Sequence, residues 1–204
     1  MPWSPDYLSA AELRSYLRIG DSDDDAQLER AIAGASRAVD RHCGRQFGQV
    51  DEAEERLYTP YRVRRAHRRR PRWAVPIDDL MTEDGLEVKN NETDTTISTY
   101  HLRPPNAVKR GEPWTELLLD SEAGTVIYGD DDEIAVTAKW GWDAVPEAVS
   151  EAVLLQAARL HSRRGAPFGV AGSPETGSEL RLLARVDPDV AVLLEDFRRS
   201  WSVV

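Results

Sequence analysis

The chain has 204 residues, with 26 Lys and Arg against 36 Asp and Glu, so its formal net charge at pH 7 is −10. Its length suits one or two domains, and its hydrophobic fraction of 41% and charged fraction of 30% are typical of a globular protein with a wet surface. These features disfavour three classes of protein. A membrane-spanning protein is disfavoured because no apolar run approaches roughly 18 residues. A disulfide-stabilised protein is disfavoured because the chain has one cysteine, and a nucleic-acid coat because the chain is acidic.

The first 50 residues have helical patterning. Ser9 and Glu12 form a capping-box pattern, which predicts a short helix that ends near Gly20. A second helix is predicted over about 23–45, with three aspartates in its first turn, where negative charge complements the helix dipole. Its apolar residues recur at helical spacing: Leu28, Ile32, Ala35, Val39, Cys43 and Phe47.

The middle of the chain, 54–142, is β-rich. The predicted strands are 56–59, 86–88, 95–102, 116–119, 125–128 and 133–140. In the last of these, apolar residues alternate with the others, which predicts a strand with one buried face. Asp84-Gly85 and 129–132 are turn signals between strands.

The last third returns to helical patterning. Pro146 begins a helix predicted to reach about Ser162, and 166–177 is predicted to be a mobile loop. Pro188 begins a final helix whose apolar face carries Val190, Leu193, Leu194, Phe197 and Trp201. The predicted fold is therefore α+β, a bundle of about four helices with an inserted small antiparallel β-domain. The predicted divisions are 1–53 and 143–204 for the helices and 54–142 for the β-rich insert.

Enzyme and metal motifs fail on inspection. The spacing of Asp21, Asp23 and Asp25 resembles the start of a calcium loop, but Ala26 stands where that loop needs glycine. The glycines of 172–177 are not followed by the Lys-Ser/Thr of a phosphate loop, and the four histidines lack metal-ligand spacing. We therefore expect no catalytic residue, no metal and no cofactor, and a protein that is not an enzyme.

A run of arginines interrupts the acidic sequence between residues 62 and 72. Its members are Arg62, Arg64, Arg65, Arg68, Arg69, Arg70 and Arg72. Three interpretations stay open. The run binds a phosphate backbone, it is a plain solvated loop, or it pairs with an acidic patch such as 130–133 on a neighbouring subunit.

Two aromatic segments stand out. Trp140-Gly141-Trp142 follows the clearest strand, and such a pair is typical of a strand end anchored against a helix. Near the chain end, Phe197, Arg198, Arg199 and Trp201 either pack within the chain or offer an aromatic and arginine anchor to a partner.

The order of these parts resembles the head–tail connector (adaptor) proteins of long-tailed double-stranded DNA bacteriophages. The resemblance rests on three stretches. The first is a short helix at 7–17, an acidic turn, and a helix that ends in Gly44-Arg45-Gln46-Phe47. The second is the strand and aromatic corner at 134–142 that run into Val145-Pro146-Glu147, and the third is the loop after Arg163-Arg164-Gly165. These are scaffold signatures and not catalytic motifs.

The resemblance implies a structural protein of the virion neck, present in the host cytoplasm during assembly. Such proteins form a ring, usually twelve-fold, below the portal; the ring extends the DNA channel and docks the next neck or tail protein. By position, portal contact would fall on the final segment, with Phe197, Arg198, Arg199 and Trp201. The arginine run would then contact a neighbouring subunit or, transiently and without sequence preference, the passing DNA. No membrane partner is implied. The alternative is a nucleic-acid-associated regulatory protein that uses the arginine run.

Overall fold

The computed structural model describes residues 3–63, 72–120, 133–163, 170–171, 180–181 and 187–199. The chain divides into two compact units, one made of 1–47 with 145–204 and the other of 48–144. The predicted bounds of 53/54 and 142/143 stay a prediction, because compactness alone does not establish that a unit folds independently. In the described part of the chain, no helix combines the length and apolarity needed to cross a bilayer.

The first unit is helical. It contains α1 (Ala10–Leu17), α2 (Asp25–Cys43), α3 (Glu147–Ser162) and α4 (Pro188–Leu193), with a 3-10 turn at Glu195–Phe197. Helix α2 packs against α3 and α1, and α3 packs against α4. The core of this unit is mainly aliphatic, and its fully buried side chains include Leu13, Leu28, Ile32, Val149, Val153, Val190 and Leu194.

Helix ends follow the capping chemistry of the sequence. The Ser9 hydroxyl accepts a hydrogen bond from the Glu12 amide, and the Glu12 carboxylate accepts one from the Ser9 amide, so the predicted capping box is present. Helix α1 ends at Leu17, before the predicted Gly20, because Arg18 adopts the left-handed conformation. Helix α2 ends at Cys43, where Gly44 takes a φ of 66° that glycine adopts without steric cost.

Over its described residues, the second unit contains two four-stranded antiparallel sheets. The strands of the first sheet are β1 (Glu54–Tyr58), β4 (Glu87–Asn90), β5 (Thr95–Thr96) and β8 (Ile134–Ala138). Those of the second are β2 (Tyr61–Val63), β3 (Arg72–Leu80), β6 (Tyr100–Arg103) and β7 (Trp114–Asp120). The strand order is β1-β8-β4-β5 in the first sheet and β2-β3-β7-β6 in the second. The predicted α+β class, with its helices and antiparallel strands, is confirmed.

Three details of the predicted strands are wrong. The run 95–102 forms two strands that belong to different sheets, β5 and β6. Strand β3 is absent from the strands predicted by sequence, because Pro76, Asp78 and Asp79 interrupt its alternation. Strand β8 is buried on more than the one predicted face, since Ala135 is buried and Thr137 is half-buried.

Two other predictions concern the end of the chain. The final helix is shorter than predicted, since α4 ends at Leu193 and a 3-10 turn carries Phe197. Within the predicted loop 166–177, Val170–Ala171 (β9) pair with Leu180–Arg181 (β10) in a two-stranded antiparallel ladder. The predicted strand 125–128 lies outside the described residues.

Candidate interaction surfaces

The C-terminal segment is fastened to the end of α2. The Arg199 amide donates a hydrogen bond to the Cys43 carbonyl oxygen over 2.7 Å. The ring of Phe197 meets that of Phe47 edge-on, with centroids 5.9 Å apart, and Phe47 in turn meets Tyr7 at 5.7 Å. Phe197 therefore packs within the chain, while its partly exposed ring remains at the surface.

Arginines from two distant parts of the sequence meet around Cys43. Burial raises the pKa of the Cys43 thiol to about 11, and the charges of Arg45 and Arg198 both lie close enough to oppose that rise. Arg198 is exposed, whereas Arg45 and Arg199 are half-buried. We call Arg45, Phe197, Arg198 and Arg199 the tail-anchor surface, and Phe47 is buried beside it. The predicted Trp201 lies outside the described residues.

A half-buried polar cluster lies beside Phe47. The Tyr7 hydroxyl donates to Asp40 Oδ1 over 2.5 Å and accepts from the Phe47 amide over 2.9 Å. Arg37 Nε lies 2.9 Å from Asp40 Oδ2, and a second Arg37 nitrogen donates to the Pro5 carbonyl. Burial raises the pKa of Tyr7 above its ordinary range and also raises that of Asp40. The cluster therefore holds the N-terminal segment and Phe47 in one arrangement.

The two ends of the arginine run lie in paired strands, Arg62 in β2 and Arg72 in β3. Val63 of β2 pairs with Arg72 of β3, so the chain enters and leaves the intervening segment at neighbouring positions. Arg62 is exposed and Arg72 is half-buried. The Tyr61 hydroxyl beside them donates to Glu116 over 2.8 Å, and burial raises the pKa of Tyr61 to about 12. Arg64, Arg65, Arg68, Arg69 and Arg70 lie outside the described residues.

The aromatic corner binds strands together. The Trp140 indole donates to the Glu54 carbonyl over 2.8 Å, and the Trp142 indole donates to Asp79 Oδ2 over 2.9 Å. Both tryptophans are buried. These hydrogen bonds join the corner to β1 and β3, while its anchoring against a helix stays a prediction. The corner, Trp140-Gly141-Trp142, is therefore a structural element of the second unit, 48–144, which we call the β-unit.

The helical unit also carries an open groove. A wide, open groove of about 590 Å³ on the helical unit is lined by Gln27, Arg30, Ala31, Leu160 and His161. Among the residues with described positions, no group of three or more His, Cys, Asp or Glu side chains is arranged to hold a metal ion.

Sequence reasoning singles out Arg198 and Arg199 but does not connect them with Arg45 and Phe47. Those two residues lie in the Gly-Arg-x-Phe end of α2, which in sequence is only a scaffold signature. The signal is thus present, but sequence alone cannot show that residues about 150 positions apart share one surface.

Comparison with known proteins gives a consistent result. Residues 8–66 match the sequence model of the phage gp6-like head-tail connector protein family. The whole chain superimposes on a chain from the neck of an empty gene transfer agent particle, a structure computed with C6 symmetry. The TM-score is 0.59, the two sequences are 20% identical, and the match covers 95% of the neck chain. A chain of the virion of a native gene transfer agent particle matches 97% of this chain, with a TM-score of 0.52, 20% identity and coverage of 92% of that chain.

No curated protein sequence matches the chain significantly. The sequence match covers α1, α2, β1 and β2, and the structural matches cover both units. The resemblance predicted from the sequence is thus confirmed: in its N-terminal sequence this chain is similar to phage head–tail connector proteins, and it has the fold of a protein from the neck of a gene transfer agent particle.

Proposed function

We propose that the chain is a structural, non-enzymatic neck protein of a phage or phage-like particle. The observation that carries this proposal is the superposition of the entire chain, both units included, on a neck protein of a gene transfer agent. Two unrelated proteins that share only a helical hairpin would not match over the helical unit and the β-unit together. The connector family matched by residues 8–66 supports the same assignment.

The proposed working form is a ring below the portal. The similar neck structure was computed with C6 symmetry, and six-fold symmetry is contained in the twelve-fold symmetry usual for connector rings. A closed ring needs heterologous contacts, in which two different surfaces of one subunit meet its two neighbours. We assign the arginine run, Arg62 to Arg72, to such a contact or to the passing DNA. The net charge of −10 suits a channel wall that must not retain a sliding phosphate backbone.

The proposed partners are the portal on one side and the next neck or tail protein on the other. The segment 187–204 would face the portal, with Phe197, Arg198, Arg199 and Trp201 as contacts. Its described part is already held in place by α2 through Arg199 and Phe197, so portal binding would require little ordering of residues 195–199. The protein would be present in the host cytoplasm until assembly and in the virion neck afterwards.

Native mass spectrometry of the full chain tests the proposal, alone and with the candidate portal from the same genome. A closed ring, either alone or only with the portal, is the expected result. A persistent monomer that ignores the portal but binds duplex DNA would overturn it in favour of a nucleic-acid-associated regulator.

The role of the arginine run needs a second measurement. A variant with all seven arginines changed to Gln should lose ring formation, or its ring should no longer retain DNA at low salt. If the run contacts DNA, the salt dependence of DNA binding should flatten in that variant. A control with Arg18 and Arg30 changed to Gln removes exposed charge elsewhere and should assemble normally.

A further inference from the structure

Two segments from distant parts of the sequence are both held at the end of α2. We call residues 3–7 the leading segment and residues 195–199 the trailing segment. Tyr7 of the first and Phe197 of the second each meet the buried ring of Phe47 edge-on, with centroids 5.7 and 5.9 Å from it. One aromatic ring is therefore shared by both segments.

The leading segment is held by side-chain hydrogen bonds from α2 and the residues just after it. The Tyr7 amide donates to Ser36 Oγ over 3.3 Å, and Gln46 Nε2 donates to the Trp3 carbonyl oxygen over 3.1 Å. Each bond of this kind adds only modestly to stability, because water replaces it when it breaks. The leading segment can therefore open locally while the helices stay folded.

The Tyr7 hydroxyl holds the backbone at Phe47. It accepts a hydrogen bond from the Phe47 amide over 2.9 Å and donates one to Asp40 Oδ1 over 2.5 Å. The Asp40 carbonyl oxygen in turn accepts from the Gly44 and Arg45 amides over 2.8 and 3.3 Å. A buried amide that loses its acceptor is costly, so we expect the backbone at Phe47 to rearrange when Tyr7 leaves.

The trailing segment docks on the same short stretch of chain. The Arg199 amide donates to the Cys43 carbonyl oxygen over 2.7 Å, and the ring of Phe197 contacts that of Phe47. These two contacts are made at the start and the end of the stretch 43–47. Because the Tyr7 hydroxyl holds the end of that stretch, the docking surface of the trailing segment depends on the leading segment.

We propose that the leading and trailing segments form a latch, in which docking of either segment on the end of α2 stabilises docking of the other. Phe47 carries the coupling, since both segments contact its ring and one of them also binds its amide. A partner that draws the leading segment off α2 would release the trailing segment, and thermodynamic reciprocity requires the converse. The latch is independent of the proposed function, because all its contacts lie within the unit 1–47 with 145–204.

Hydrogen exchange of the full chain, followed at single amides by NMR, tests the latch. Tyr7→Phe removes the hydroxyl and keeps the ring, and it should accelerate exchange at the Arg199 amide at least about fivefold. Tyr16→Phe is the matched control, because it makes the same chemical change at a residue of α1 that is 49% exposed. It should leave exchange at Arg199 within about twofold of the wild type.

A second control separates the latch from overall stability. Ile32→Val trims a fully buried side chain of α2 and lowers the stability of the whole unit. It should leave exchange at Arg199 within about twofold, because local opening of the trailing segment does not unfold the core. Equal acceleration by Ile32→Val and Tyr7→Phe would overturn the latch, since Arg199 would then report only global unfolding.

The reverse direction supplies an independent arm. Phe197→Ala should accelerate exchange at the Tyr7 amide at least about fivefold, whereas Val192→Ala, at a residue 72% exposed, should not. The double variant Tyr7→Phe/Phe197→Ala should exchange at Arg199 more slowly than the product of the two single accelerations predicts, because a segment released once has little left to lose. A double variant that reaches the full product, or a Tyr7 amide unaffected by Phe197→Ala, would overturn the latch and leave the proposed function intact.

Discussion

The indole nitrogen of Trp142 lies 2.9 Å from Oδ2 of Asp79 and donates a hydrogen bond to it inside the β-unit. The neighbouring residue, Gly141, donates its amide to the Asp79 carbonyl oxygen over 2.7 Å. Asp79 is only 5% exposed. A carboxylate buried so deeply requires hydrogen-bond donors, and the aromatic corner supplies one of them.

Trp142→Phe should therefore destabilise the protein. The change removes the indole donor but keeps a ring, so it leaves a buried carboxylate oxygen short of one partner, at a cost of about 1–3 kcal/mol. Asp79→Asn keeps an oxygen acceptor for the indole and should cost less. Urea denaturation measures both, and a Trp142→Phe loss below that of Asp79→Asn would contradict this assignment.

Gly141→Ala should be among the most damaging single changes in the β-unit. Gly141 has a φ of 115°, and an added Cβ would lie 2.0 Å from the Gly48 carbonyl oxygen. Both backbone strain and overlap oppose the substitution, so the free energy of unfolding should fall by more than about 3 kcal/mol. Gly20→Ala is the control, because a Cβ there meets nothing within 4 Å. Equal stability of the two variants in urea would show the corner to be less tightly packed than described.

Phe197→Ala should loosen the C-terminal segment. Removing the half-buried ring that meets Phe47 should cost about 1–2 kcal/mol. Hydrogen exchange at the Arg199 amide should accelerate, because that amide is protected by its bond to Cys43. Val192→Ala, at a residue 72% exposed, should change the free energy of unfolding by less than about 0.5 kcal/mol and leave Arg199 protected. Unchanged exchange at Arg199 in Phe197→Ala would count against a tail held by its aromatic contact.

Asp40 should make stability depend on pH with an unusual sign for a carboxyl group. Burial raises its pKa above the usual 3.8, so the folded state binds this proton more tightly than the unfolded state does. Its contribution to stability is therefore complete below the unfolded pKa and is lost as pH rises through the higher folded value.

Asp40→Asn should remove that component. The difference in free energy of unfolding between the wild type and Asp40→Asn should move in favour of Asn as pH rises from about 3 through the folded pKa. Denaturation across this pH range checks the prediction. A difference that moves in favour of the wild type would mean that Tyr7 and Arg37 outweigh burial and lower the pKa of Asp40.

Much of the fold could be predicted from local patterns. The capping box of Ser9 and Glu12 and the spacing from Leu28 to Cys43 report interactions within a few residues, and α1 and α2 begin and end close to where these patterns place them. Strand β3 could not be predicted, because its buried Asp79 and its Pro76 are tolerated only through tertiary contacts such as the bond from Trp142.

Part of the tail-anchor surface could likewise be predicted from the sequence, and part could not. Phe197, Arg198 and Arg199 stand out in sequence as an aromatic and basic segment. Their neighbours Arg45 and Phe47 do not, since the contact that joins them depends on how the chain end returns to α2. The split of 95–102 between two sheets is likewise a matter of pairing, which alternation along one strand does not encode.

Opposite charges at the two ends of α2 give the helical unit an electric dipole along that helix. The helix has 19 residues, and at the usual rise per residue that places about 28 Å between its ends. Asp21, Asp23, Asp24 and Asp25 surround its beginning, and Arg41, Arg45 and Arg198 surround its end. In the electric field of any charged partner, the helical unit would experience a torque as well as an attraction. Such a partner would therefore meet it in a preferred orientation, and fewer collisions would be lost to the wrong one.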